Sequence, residues 1–107
     1  MHNLENPTVK RLAELTKALG HPARISILSI LAQKDTCFCG DITELIPLAQ
    51  STVSQHLKAL KEAGLIKGTV EGVRSCYCLN EDCMDELHQL FGDFSKTIIA
   101  NRSSDCC

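Results

Sequence analysis

The chain has 107 residues, seven of them cysteine, with 44% hydrophobic and 22% charged residues and a formal net charge of −2. This size predicts one small domain around one core, the composition excludes a disordered chain, and no apolar run approaches the ~18 residues of a membrane span. The acidic total excludes nucleic-acid binding through bulk charge, yet residues 1–80 hold nine Lys and Arg against seven Asp and Glu, and residues 81–107 hold two against six, so a local basic face survives.

The first seven residues carry neither a basic nor an apolar leader, which predicts a cytoplasmic protein. An odd cysteine count without a secretion signal then argues against a disulfide framework, and the thiols need a chemical explanation. Asn6-Pro7 opens a first helix, along which Val9, Leu12, Thr16 and Leu19 fall at helical spacing, and Gly20 ends it. His21-Pro22 restarts the chain as a second helix to about Gln33, apolar on most sides and therefore expected at the centre. Asp41-Ile-Thr-Glu44 fits a capping box for a short third helix ended by Pro47. A fourth helix runs from about Gln50 to Ala63 with Val53, Leu57 and Leu60 inward and Gly64 as its stop. Leu65 to Glu71 and Arg74 to Leu79 read as a hairpin around Glu71-Gly72. Asn80 caps a long last helix with Met84, Leu87, Phe91, Phe94 and Ile98 in one stripe. The expected fold is mostly α with a small β-wing, one domain over residues 1–100, and a mobile tail over 101–107 that holds Cys106 and Cys107.

A short helix, a tight turn and a helix with a small polar N-terminal face make a helix-turn-helix, whose second helix enters the major groove. The residues in position are Gln50, Ser51, Thr52, Ser54, Gln55 and His56 for base edges and phosphates, and Lys58 and Lys61 for phosphates. Lys67 and Arg74 on the hairpin would reach adjacent backbone as a wing. An exposed amphipathic helix beside a hairpin fits the same pattern without any DNA.

The run Leu48-Ala-Gln-Ser-Thr-Val-Ser-Gln-His-Leu-Lys-Ala-Leu-Lys-Glu-Ala-Gly-Leu-Ile66 resembles the recognition-helix signature of the ArsR/SmtB family of winged-helix arsenical and metal-sensing repressors. Ala18-Leu-Gly-His-Pro-Ala-Arg-Ile25 and Tyr77-Cys-Leu79 match as well, so the resemblance covers residues 8–95. It implies a homodimer on double-stranded operator DNA with two-fold symmetry, released by an inducer. It also implies a dimer interface of the first and last helices, for which Val9, Leu12, Leu87, Leu90, Phe91, Phe94 and Ile98 supply apolar material. No membrane is expected as a partner.

Cys37-Phe-Cys39 precedes the helix-turn-helix and Cys76-Tyr-Cys78 lies in the second wing strand. In an extended segment residues i and i+2 share a face, so each Cys-x-Cys presents two thiols on one side, with Phe38, Tyr77 and Leu79 inward. Were the two segments paired, all four sulfurs would converge. Four thiolates suit Zn(II) or Cd(II), and three suit As(III), as inducer or structural ion. A redox-sensing site and small apolar residues without a role are the other readings of the same cysteines.

Arsenic- and cadmium-type members carry a Cys-x-Cys at the position of Cys37 and Cys39. The extra Gly40 departs from their pattern, no cysteine follows in Ile42 to Leu48 as the arsenic type requires, and residues 1–36 lack the N-terminal cysteines of the cadmium type. Cys76 and Cys78 are therefore the candidates that complete the set, by geometry and not by family. The zinc site on the last helix of other members is rejected, because Asp85 and His88 are wrongly spaced and no later histidine follows. Cys83 reads as a packing residue and His2 as part of a frayed end. A thiol oxidoreductase or arsenate reductase would need Cys-x-x-Cys at a helix start or a phosphate-cradling loop, and neither is present, so no enzyme is expected.

Overall fold

A capping side chain followed by proline sets each of the first two helices. In the computed structural model, which describes residues 3–69 and 75–102, the Asn6 side chain accepts from the Thr8 N–H at 2.8 Å and α1 runs Pro7–Leu19. The His21 ring accepts from the Ala23 N–H at 3.0 Å and α2 runs Pro22–Gln33. In both, the capping atom satisfies a donor that the helix cannot, and Pro fills a position where no N–H is required. The chain leaves α2 through Asp35 and Thr36, at φ 58° and 70°. A β-branched residue in the left-handed region costs about 1–3 kcal/mol, and here it turns the chain into strand β1, Cys37–Gly40.

Where the sequence predicts a short α-helix, the structure has a single 3-10 turn, Ile42–Glu44, capped by Asp41. The Leu45 N–H bonds back to the Ile42 carbonyl, and Pro47 has no N–H with which to extend the ladder. Helix α3 spans Gln50–Glu62. It ends as a Schellman motif, with the Leu65 N–H on the Leu60 carbonyl and the Gly64 N–H on the Lys61 carbonyl, and with Gly64 at φ 89°. Strands β2, Ile66–Thr69, and β3, Ser75–Leu79, follow. Strand β2 starts one residue later than predicted, and the predicted strand ends at Val70, Glu71 and Arg74, with the Glu71-Gly72 turn, lie outside the described residues, as do His2, Cys106 and Cys107. Helix α4, Glu81–Asn101, starts at Asn80, whose side chain accepts from the Cys83 N–H.

The sheet order is β1-β3-β2, antiparallel throughout. Helix α2 touches α1, α3, β1 and β3, the central position its apolar sequence demands, although Ile25 on its outer side is 47% exposed. Leu15, Ile27, Leu31, Val53, Leu60 and Leu65 are fully buried, with Ile66 and Tyr77 nearly so. Each such side chain stabilises the fold by about 1.5–3 kcal/mol relative to exposure. A three-helix core, a helix-turn-helix at α3 and a small antiparallel sheet define a winged helix. No helix among the described residues is long and apolar enough to cross a membrane.

Candidate nucleic-acid interface and thiol cluster

The buried stripe of α3 is Val53, His56, Leu57 and Leu60, which turns the rest of the helix outward. Ser51, Gln55, Lys58 and Lys61 are exposed, while Gln50, Thr52 and Ser54 are half-buried at the start of the helix. The Gln50 side-chain amide donates to the Ser54 hydroxyl at 3.0 Å, which fixes the rotamers of two polar residues on this face. Lys67 is exposed on β2.

His56 does not join that face. It is 9% exposed, its Nδ1 accepts from the Arg24 Nε at 3.1 Å, and its ring centroid lies 4.3 Å from that of His21. Burial holds its pKa below the ordinary histidine value, with the charges of His21 and Arg24 acting in the same direction. The expectation that His56 meets DNA is thereby corrected: it joins α3 to α2. Its place in the sequence gave the signal, three residues after Val53 and four before Leu60.

Arg24 also donates to the Ala18 carbonyl at 3.3 Å, so one side chain spans the end of α1, α2 and α3. A second arginine bridges elements in the same way. Arg11 donates to the Ala63 carbonyl at 3.0 Å and the Glu86 carboxylate at 2.9 Å, joining α1, the end of α3 and α4. Neither contact has a local sequence signal, because each partner is distant along the chain. Arg11 also reaches Cys83. That thiol is buried at 5% exposure, and its burial pushes its pKa up, the properties of a packing residue.

The two Cys-x-Cys segments are paired, which meets the condition for their sulfurs to converge: Cys37 lies opposite Cys78, Phe38 opposite Tyr77 and Cys39 opposite Cys76. The Leu79 N–H donates to the Thr36 carbonyl. Thr36 and Leu79 are thus a hydrogen-bonded position, and alternation makes 37/78 and 39/76 the non-hydrogen-bonded pairs, where facing side chains are closest. Their Cα separations are 4.0 and 4.1 Å. In this structure the sulfurs are joined in two disulfides, Cys37–Cys78 and Cys39–Cys76, instead of standing as the expected set of four free thiolates. Among the described residues no group of three or more His, Cys, Asp or Glu is arranged to hold a metal ion.

Cys37, Cys39 and Cys76 are exposed and Cys78 half-buried, and β2 continues the same face, with Lys67 opposite Cys78 and Thr69 opposite Cys76. The inner face carries Phe38 and Tyr77, whose rings lie 6.0 Å apart. Tyr77 is 1% exposed, and burial pushes its hydroxyl up to about 12.

Of the apolar residues assigned to the dimer, Val9, Phe91, Phe94 and Ile98 are about half exposed, at 47–54%. Leu87 and Leu90 are half-buried against the core, and Leu12 is half-buried on α1.

The pattern of the family described as bacterial regulatory protein, arsR family, matches residues 21–67, from the cap of α2 to Lys67. An uncharacterized HTH-type transcriptional regulator of Methanocaldococcus jannaschii is 39% identical, covering 76% of this chain and 91% of the relative. The arsenical resistance operon repressor of Bacillus subtilis is 32% identical over the whole of both chains. The HTH-type transcriptional regulator CmtR of Mycobacterium bovis is 31% identical, covering 90% of this chain and 78% of the relative. The chain belongs to the arsR family of bacterial regulatory proteins. It is a DNA-binding transcriptional repressor and not an enzyme.

Proposed function

We propose that two copies of this chain, joined through α1 and α4, hold an operator of two-fold symmetry and release it when a thiophilic ion is captured by Cys37, Cys39, Cys76 and Cys78. The observation that carries the reading is a juxtaposition: the sulfur cluster lies one strand from Lys67 and shares its face of the sheet. In the complex, Ser51, Gln55 and the half-buried Gln50, Thr52 and Ser54 meet base edges or phosphates. Lys58, Lys61 and Lys67 meet phosphates.

Reduced to thiols, the four cysteines suit Zn(II), Cd(II) or As(III), soft or borderline ions that thiolates bind well. Capture by all four sulfurs at once draws the two facing pairs, two residues apart along the ladder, toward one ion and so distorts β1, at the entry to the helix-turn-helix, and the wing strand. It favours release if the free dimer binds the ion more tightly than the DNA-bound dimer does. The arsenical resistance operon repressors among the relatives make As(III) the first ion to test.

Selection of binding sites from random duplex DNA, followed by anisotropy titration, tests the whole reading. The expected sites are inverted repeats with half-site centres about 34 Å apart or a multiple of that. Affinity should fall steeply with salt, and arsenite or Cd(II) should dissociate the reduced wild type. The variant with all four cysteines changed to Ser should remain bound. Failure to enrich any sequence overturns the operator assignment, and release of the all-Ser variant overturns the ion site.

A further inference from the structure

The two sulfur pairs sit where an antiparallel ladder brings side chains closest, and three of the four cysteines are exposed to solvent. We propose that this cluster is also an oxidation site. Its four thiols close into Cys37–Cys78 and Cys39–Cys76, and this closure withdraws the ligands on which ion capture depends. The inference rests on the ion reading for its consequence but not for its chemistry.

For each pair, two S–H groups lose two protons and two electrons and one S–S bond forms. A hydroperoxide accepts them, its O–O bond breaks, and hydrogen peroxide leaves as two waters. Two equivalents therefore seal the cluster.

The register makes the pairing selective. Cys37 and Cys78 face each other, as do Cys39 and Cys76, at Cα separations of 4.0 and 4.1 Å. The crossed partners are displaced by two residues along the strand, roughly 6.5–7 Å of rise. Bridging them would require the sheet to shift, because disulfides rarely join Cα atoms more than about 7 Å apart. Neighbours in one Cys-x-Cys also lie two residues apart along an extended strand. Cys83 is buried in the core against Arg11 and Ala63, and so stays a thiol.

Oxidation also leaves β1 and β3 in the arrangement that hydrogen bonds already hold. The sealed protein should therefore keep its operator affinity while losing its response to the ion. Ion release then belongs to the reduced state alone, and an oxidised cell keeps the promoter closed even when the ion is present.

The test begins from full-length protein carrying Cys106→Ser and Cys107→Ser, so that the tail thiols cannot intervene. Two further variants each keep one potential pair. Cys39→Ser with Cys76→Ser leaves Cys37 facing Cys78, and Cys39→Ser with Cys78→Ser leaves Cys37 crossed with Cys76. After treatment with hydrogen peroxide, free thiols are alkylated and counted by intact mass. The facing pair is expected to lose both thiols within one chain, and the crossed pair to retain them. Equal closure of the two overturns the inference, and so does disulfide formation mainly between chains, while both outcomes leave the ion reading of the reduced cluster intact.

The second arm follows Cd(II)–thiolate absorbance and operator anisotropy in the reduced and oxidised protein. Loss of both responses on oxidation, and their return with a dithiol reductant, is the expected result. Undiminished Cd(II) binding after oxidation overturns the gating. If the reduced protein takes up no Cd(II) while the facing pair still closes, the ion reading fails and the oxidation site stands.

Discussion

A histidine that accepts a hydrogen bond through Nδ1 from a guanidinium cannot also carry a proton there, and this places His56 in a neutral, Nε2-protonated form beside Arg24. The groups facing it are Arg24 from α2 and His21 at the cap of the same helix, both of which oppose a second positive charge. Its folded pKa is lowered and its unfolded value is about 6.5, so below that pH the unfolded chain binds the extra proton first. The contribution of this residue is complete above pH 6.5 and is lost as pH falls toward the depressed folded pKa. Thermal melting between about pH 7.5 and about pH 5 should show a declining Tm in the wild type. A His56→Gln variant, whose side-chain oxygen can still accept from Arg24, should show a shallower decline. Equal slopes in the two proteins would place the proton elsewhere. The histidine looked polar and available in the sequence, but the spacing that buries Val53, Leu57 and Leu60 buries it as well.

At the scale of the element, the sheet depends on a glycine. Gly68 has φ 119°, and a Cβ there would strike the Cys76 carbonyl oxygen and the Tyr77 backbone across the ladder. A side chain would be strained by its backbone angle and excluded by its neighbour, with no flexible group to yield. Gly68→Ala should destabilise the protein by about 2 kcal/mol or more, read from chemical denaturation, and should weaken operator binding by displacing Lys67. Little change in either would mean that β2 can relax away from β3 without harm. The helices were readable because their punctuation is local: Asn6-Pro7, His21-Pro22 and Asn80 each cap the helix that follows. The faces of β1 and β3 were readable from the alternation of Cys-Phe-Cys and Cys-Tyr-Cys, which gives sulfur to one side and aromatic rings to the other, but that the two strands pair comes from the structure, because alternation alone names no partner. The 3-10 turn at Ile42–Glu44 was not, because the capping pattern at Asp41 is the same for one turn as for several, and Pro47 decides how many follow. The contacts of Arg11 and Arg24 were not readable either, since tertiary packing creates them.

At the scale of the molecule, α4 divides into two unequal halves. Cys83 is in the core and Met84, Leu87 and Leu90 pack against it. Beyond them Phe91, Phe94, Ile98 and Ile99 are 50–57% exposed, with Phe91 and Phe94 6.2 Å apart and Val9 of α1 also half exposed. A helix of 21 residues is about 31 Å long, and its second half extends past the core that stabilises the first. An amphipathic stripe of this kind is stable when covered, and in the proposed dimer the same stripe of a second chain would cover it. The dimer should then depend on an aromatic residue that contributes little to the monomer. Phe94→Glu should shift sedimentation from dimer to monomer while leaving far-ultraviolet circular dichroism largely intact, and Phe94→Leu should remain dimeric. Loss of the second half-site should reduce operator affinity much more than any single change on α3. A Phe94→Glu protein that sediments as a dimer would move the interface elsewhere. A wild type that sediments as a monomer at the concentrations used for DNA binding would remove the interface and require each chain to find its half-site alone.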